Sequence, residues 1–300
     1  MDASGMTTFI GKSFLMNQNL IRSIEYIIPA RMYNMGKLQV RQPLPSPQLD
    51  YLDPFVLLHH ADVVIHPDTE LKHAGVGPHP HRGFSPVTFM FKGGVQHLDS
   101  RGNNKSVSEG GTQWMNAGMG IMHSERPTTY EQELIQMWIN SPAKNKFDQP
   151  YYHPLTKEET PFFQTADGRS RINVICGDLN NIKGPIPTLT SIVAATIYSG
   201  ANSDIEFSIP DTHNAFLYLL DGCILIDDRE ITGKNFIAFK KSGTRVKFKS
   251  IDATRMLFMS GEPIGEEIVT HGPFVMNNET QIMEAYRDYR MGKMGILIED

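Results

Sequence analysis

The sequence predicts an all-β protein built from two similar β-barrels in tandem, with a short helix at the C-terminus. Three observations carry this. Ten short segments (residues 23–28, 87–91, 133–139, 171–175, 191–197, 215–220, 223–226, 236–239, 245–248 and 254–259) are rich in β-branched and aromatic residues, with Gly, Pro, Asn and Asp between them. Such regular short strands indicate a sandwich or barrel. The gaps between them hold no helical patterns of roughly 10–15 residues, which disfavours a parallel α/β sheet. The third observation is a weak internal duplication. In the first half an apolar strand ends at Gly93, and Gly111 stands three positions before Trp114. In the second half an apolar strand ends at Gly222, and Gly233 stands three positions before Phe236. Twelve residues after Gly111 is His123; twelve after Gly233 is Arg245.

Composition fits that frame. The chain has 300 residues, 40% hydrophobic and 20% charged, an ordinary globular balance that excludes disorder and fibrous repeats. The net charge of -5, with both signs intermingled, gives no basis for direct nucleic-acid or membrane-surface binding. Only Cys176 and Cys223 occur, so a disulfide framework and a cysteine-based metal site are excluded, and a reducing, cytoplasmic location is expected. Residues 1–20 carry no signal-peptide pattern and read as an N-terminal extension. Residues 21–150 are expected to form the first barrel. Residues 151–187 read as a linker and crossing segment, from the loop-rich stretch 177–187. Residues 188–300 read as the second barrel plus the helix. The helix opens at Asn278, with Gln281 three residues on as in a capping box. Ile282, Ala285, Tyr286 and Tyr289 form one stripe, and Gly292 ends it.

The distribution of histidine is the informative part. Eight of the 11 lie between positions 59 and 123, where an even spread would place about two or three. Two motifs stand out, His79-Pro80-His81-Arg82-Gly83-Phe84 and Gly118-Met119-Gly120-Ile121-Met122-His123-Ser124-Glu125. Alternate side chains of a strand share a face, so His79 projects with His81, and His123 with Glu125. Two such strands facing inward supply three imidazoles and one carboxylate, a ligand set with room for one or two more. Either pair alone would more often be surface or core chemistry; the combination points to a metal. Pro80 holds the His79 backbone extended. His59, His60 and His66 read as a loop-like segment, His73 as a residue of the pocket mouth, and His97 as a sheet hydrogen-bonder. Met115, Met119 and Met122 read as packing around the cavity, and Phe84, Phe89 and Phe91 as core.

The HPHRGF segment at 79–84, residues 113–125 (QWMNAGMGIMHSE), residues 136–142 (QMWINSP) and residues 272–277 (GPFVMN) resemble the pirin family. The resemblance covers roughly residues 21–295. It implies a bicupin, that is, two cupin-type barrels (double-stranded β-helix, jelly-roll-like). It implies one metal in the first barrel, held by His79, His81, His123 and Glu125. Fe(II) is the first expectation, with Mn, Co, Ni or Cu as alternatives. The chain departs from the general cupin pattern: Ser85, Pro86 and Val87 occupy the region where a Glu usually follows the His pair, and the carboxylate stands at Glu125 instead. Residues 188–300 have only His213 and His271, in no pairing, so the second barrel should be metal-free. By the same resemblance the activity would be that of a quercetin 2,3-dioxygenase. A small aromatic flavonol and O2 would be its substrates, and Glu125 both ligand and catalytic base. The alternative is a non-enzymatic, metal-dependent regulatory protein acting on a transcription or metabolic partner.

Overall fold

The computed structural model describes residues 20–36 and 38–299, which fall into two compact units. Most of the N-terminal extension therefore lies outside the described residues. The first unit comprises residues 30–161, 185–191 and 263–299. Its larger sheet has seven strands in the order Tyr151–Leu155, Thr112–Asn116, Phe84–Lys92, Glu131–Asn140, Phe55–Val64, Leu38–Leu44, Arg31–Met35. Its smaller sheet has four, in the order Val76–His81, Ile121–Pro127, Gly94–Asp99, Asn104–Ser108. Apolar side chains hold the two layers together: Met90 and Leu134 of the larger sheet pack on Val95 and Val107 of the smaller.

The second unit, residues 20–29, 162–184 and 192–262, repeats that plan. Seven strands run in the order Ile24–Pro29, Asn235–Phe239, Asn214–Asp221, Thr254–Gly261, Ile192–Ser199, Ser170–Cys176, Phe162–Gln164. Four more run Ser203–Ser208, Arg245–Ser250, Cys223–Ile226, Arg229–Thr232. Its interior is one apolar cluster, in which Ile205, Phe207, Val246 and Phe248 meet Ile172, Leu217 and Phe258. Both barrels of the predicted pair are thus present, and they differ in filling: the second is packed with hydrocarbon, whereas the first encloses polar side chains.

All ten predicted strands are strands. The division of the chain is less simple than the expected consecutive blocks. Ile24–Pro29 pairs antiparallel with Asn235–Phe239, so the opening strand belongs to the second barrel. Residues 263–299, including the helix Glu279–Arg290, belong to the first. There Ile282 and Ala285 bury their stripe against Met122, Phe274, Met276 and Met294. The helix is capped as the sequence indicates: the Asn278 side chain accepts from the Gln281 backbone N–H at 2.9 Å, and Gln281 Oε1 accepts from Asn277 N–H. The expected linker is divided too. Tyr151–Leu155 pairs with Thr112–Asn116 in the first barrel, and Phe162–Gln164 and Ser170–Cys176 lie in the second. Periodicity reports which face of an element is apolar, not which sheet receives it. Among the described residues no helix is long and apolar enough to cross a membrane.

Candidate metal centre

Val76–His81 is the edge strand of the four-stranded sheet, which is where a segment carrying Pro78 and Pro80 can be accommodated. It pairs antiparallel with Ile121–Pro127, and the register sets His79 directly opposite His123. Cross-strand partners lie about 5 Å apart, so the pair is brought together by pleat and register alone. His81 follows two residues later on the same face, and its ring centroid is 4.9 Å from that of His123. Ligand nitrogens of His79, His81 and His123 all lie within 4.8 Å of one another. Gly83 completes the HPHRGF turn. Its φ is +86°, and a Cβ there would stand 2.1 Å from the Val275 carbonyl, so only glycine lets the 274–276 strand approach.

Hydrogen bonds fix which nitrogen each ring presents. His79 Nδ1 donates to the Gly77 carbonyl at 2.8 Å, and His81 Nδ1 donates to the Pro273 carbonyl at 3.2 Å. A carbonyl oxygen can only accept, so in each neutral ring Nε2 is left with its lone pair. These two Nε2 atoms face each other at 3.1 Å. His123 Nε2 is buried and has no hydrogen-bond partner. Burial is the main force lowering the pKa of all three; burial and then the adjoining His79 imidazole push His81 and His123 well below the ordinary histidine value. The site thus offers neutral imidazoles within reach of one another, the Nε2 lone pairs of His79 and His81 free and Nε2 of His123 an orphaned buried polar atom. That is the donor set a divalent transition metal takes, and the residues present fit it.

Glu125 faces the same cavity, and its carboxylate is held by three donors. Gln113 Nε2 and Thr88 Oγ1 donate to Oε1, and Gln136 Nε2 donates to Oε2 at 2.7 Å. Both amides are oriented in turn: Tyr152 O–H donates to Gln113 Oε1 at 3.0 Å, and Trp138 Nε1–H donates to Gln136 Oε1 at 3.4 Å. The register lines up His59, Gln136, Thr88 and Gln113 as one polar row across four neighbouring strands. The cavity in front of the site measures about 520 Å³, and Trp138, Met35, Leu38 and Pro273 are among the residues lining it. That is within the size range of small-molecule sites, roughly 300–1,000 Å³.

Of the four residues singled out by sequence, three converge as a ligand cluster and Glu125 stands at the same cavity within its amide cradle. Gln113, Thr88, Gln136 and Tyr152 had no role assigned from sequence; the available signal was polar side chains inside otherwise apolar strands. His59 and His60 are not in a loop. They lie in the Phe55–Val64 strand and are buried, His59 Nε2 donating to Gln42 Oε1 at 2.8 Å and His60 pairing with Glu133 at 3.1 Å. His66 and His73 are exposed. His97 is buried in its sheet, 3.0 Å from Asp99 and 3.4 Å from His123. Met122 packs under the C-terminal helix and Met115 beside Ala117 and Ile121, while Phe84, Phe89 and Phe91 are core.

Two similar β-barrels, one built round a single large apolar cluster and one enclosing a histidine cluster, define a two-barrel protein of the cupin type. The family model described as Pirin matches residues 37–139, and that described as Pirin C-terminal cupin domain matches residues 195–295. A pirin-like protein from Solanum lycopersicum is 35% identical over 272 residues, covering 89% of this chain and 90% of its own. The chain belongs to the pirin family. Among solved structures, a quercetin 2,3-dioxygenase from Acinetobacter baumannii superposes with a TM-score of 0.86 at 29% identity, over 93% of this chain and 100% of its own. A bacterial pirin from Escherichia coli, solved in complex with nickel(II), shares the fold with a TM-score of 0.65 at 17% identity, over 79% of this chain and 99% of its own.

Proposed function

We propose that the protein is a metal-dependent dioxygenase acting on a flavonol such as quercetin, with His79, His81, His123 and Glu125 as the metal-binding set. The observation that carries this reading is the convergence of three imidazoles, with Nε2 of His123 lacking any hydrogen-bond partner, beside a cavity large enough for a small aromatic molecule. The likeness to the Acinetobacter quercetin 2,3-dioxygenase supports the substrate class. A bound Fe(II), or Mn, Co, Ni or Cu in its place, supplies Lewis-acid and redox chemistry toward O2 and a chelating phenol. Both oxygen atoms would enter the ring-opened product, and one ring carbon would leave as carbon monoxide.

The chain's own residues do the rest. Glu125 takes the proton of the flavonol 3-hydroxyl; Gln113, Thr88 and Gln136 hold its carboxylate toward that position. Trp138, Met35, Leu38 and Pro273 offer apolar surface to the aromatic rings and exclude water. The second barrel, filled with hydrocarbon, has a structural part only. The test is a metal analysis of the freshly purified protein, followed by quercetin loss at its visible band with O2 uptake. About one ion per chain and turnover are expected. A filled site without turnover would reject the flavonol reading and favour a regulatory role toward a protein partner; a chain that takes up no metal would reject the site.

A further inference from the structure

We propose that Asp99 and His97 form a buried relay that decides which nitrogen of His123 carries the proton, and so leaves His123 Nε2 bare toward the metal. Both are positioning residues. The inference rests on the reading of the three histidines as metal ligands.

The strand Gly94–Asp99 pairs with Ile121–Pro127, setting Asp99 opposite His123 and His97 opposite Glu125. Asp99 ends its strand, and its carboxylate is saturated with donors. Oδ1 accepts the backbone N–H groups of Arg101 at 2.9 Å and Asn103 at 3.1 Å. Oδ2 accepts Asn103 Nδ2 at 2.7 Å and His97 Nε2 at 3.0 Å. An ionised carboxylate only accepts, so His97 carries a proton on Nε2, and with that single proton its Nδ1 is an acceptor. His123 Nδ1 stands 3.4 Å from that atom. The contact is a hydrogen bond only if His123 donates from Nδ1, which strips Nε2 of its proton. Nε2 is the orphaned atom of the cluster. The His97 ring is held for this by Tyr152, stacked on it at 4.0 Å between centroids and 5° between planes.

The contrast with the other two ligands gives the relay its meaning. His79 and His81 have their protons fixed by backbone carbonyls, which no side-chain substitution removes. His123 has Nδ1 toward a side chain that could present either a lone pair or a proton. Without Asp99 the polarity of that contact is free to reverse.

In Asp99→Asn the side-chain oxygen keeps the two backbone N–H donors and the amide NH2 turns to His97. His97 must then accept at Nε2 and donate from Nδ1, which forces the His123 proton onto Nε2, where the metal binds. The experiment reads the ring 15N shifts of His123 in the metal-free full-length protein, and Ni(II) affinity by competition with a chelator. The wild type should show His123 protonated at Nδ1. Asp99→Asn should show it at Nε2 and bind Ni(II) roughly 10–100-fold more weakly. His97→Gln, which can donate to Asp99 and accept from His123, should retain affinity to within a few-fold; His97→Phe, which keeps the stack and loses both bonds, should not. Wild-type His123 protonated at Nε2 overturns the proposal whether or not any variant folds. So does an unchanged Ni(II) affinity in a folded Asp99→Asn. A wild type that binds no Ni(II) overturns the metal reading itself, while the 15N shifts still report on the relay.

Discussion

His79 Nε2 stands 3.1 Å from His81 Nε2, and each ring directs its Nδ1–H to a backbone carbonyl on the far side. Two lone pairs held face to face repel one another in a low-dielectric interior. A cation removes that repulsion. Metal should therefore stabilise the fold, by about 4 kcal/mol at a free concentration some thousand-fold above Kd. Thermal melting with added Ni(II), then with excess chelator, checks this: the gain should appear, reverse, and be absent in His81→Ala. A melting curve indifferent to metal would contradict it.

Gln136 offers a separate handle on Glu125. Its amide N–H donates to Glu125 Oε2, and Trp138 fixes the amide's orientation from the other side. Gln136→Leu keeps the side-chain bulk and frees one carboxylate oxygen. A lost hydrogen bond to a charged group is worth about 1.5–3 kcal/mol, so kcat/KM for quercetin should fall by roughly 10–100-fold. Metal content should hold, because Gln136 hydrogen-bonds to Glu125 and Trp138 rather than to the three histidines, and Glu125 keeps both carboxylate oxygens. Equal loss of metal and activity would assign Gln136 a structural part instead.

Arg82, two residues before the Phe84–Lys92 strand, is buried and tied to the C-terminal helix. Nη1 and Nη2 both donate to Asp288 Oδ2 at 3.1 Å, and Nε donates to the Met119 carbonyl at 2.7 Å. Asp288→Ala leaves a nearly buried guanidinium without its counter-charge, which costs about 3–5 kcal/mol. Replacing both residues with apolar ones of similar size, Arg82→Met with Asp288→Leu, should cost less than the single change. Urea unfolding of Arg82→Met, Asp288→Leu and the double gives the cycle; additive costs would show that the pair is not coupled.

What was legible in the sequence, and what was not, follows from the physics of sheets. Period-two alternation pairs His79 with His81 and His123 with Glu125, so each half of the candidate site could be read, while the meeting of the two halves rests on the pairing of Val76–His81 with Ile121–Pro127. The helix cap at Asn278 and Gln281 is equally local. The polar row of His59, Gln136, Thr88 and Gln113 depends on the register of four strands, which no single strand encodes. The adjacent pair His59-His60 breaks alternation and read as a loop, although both faces of its strand are covered and each ring finds a polar partner. The assignment of residues 263–299 to the first barrel was hidden for the same reason. The apolar stripe of Ile282 and Ala285 was visible, but the surface formed by Met122, Met276 and Met294 exists only once the chain has folded.

His59 makes the metal-free protein sensitive to acid in a way that can be isolated. Burial lowers its pKa from the ordinary 6.5 to about 4. The Gln42 oxygen at 2.8 Å is a neutral partner, and Tyr33 stacks on the ring with centroids 5.9 Å apart. In the unfolded chain the same imidazole titrates near 6.5. Between these two values the unfolded state binds more protons than the folded one, so folding stability falls as pH drops from 6.5 toward 4. The contribution is absent above that window and reaches about 3 kcal/mol of destabilisation at its lower end. His81 and His123 push in the same direction, so the wild-type curve alone does not isolate His59. His59→Gln does: it keeps a hydrogen-bonding group toward Gln42 and cannot titrate. Urea unfolding from pH 4 to 7.5, with chelator throughout, should give a shallower dependence for the variant, by up to about 1.4 kcal/mol per pH unit within the window. Parallel curves for the two proteins would mean that His59 is solvated in solution and takes up its proton without cost.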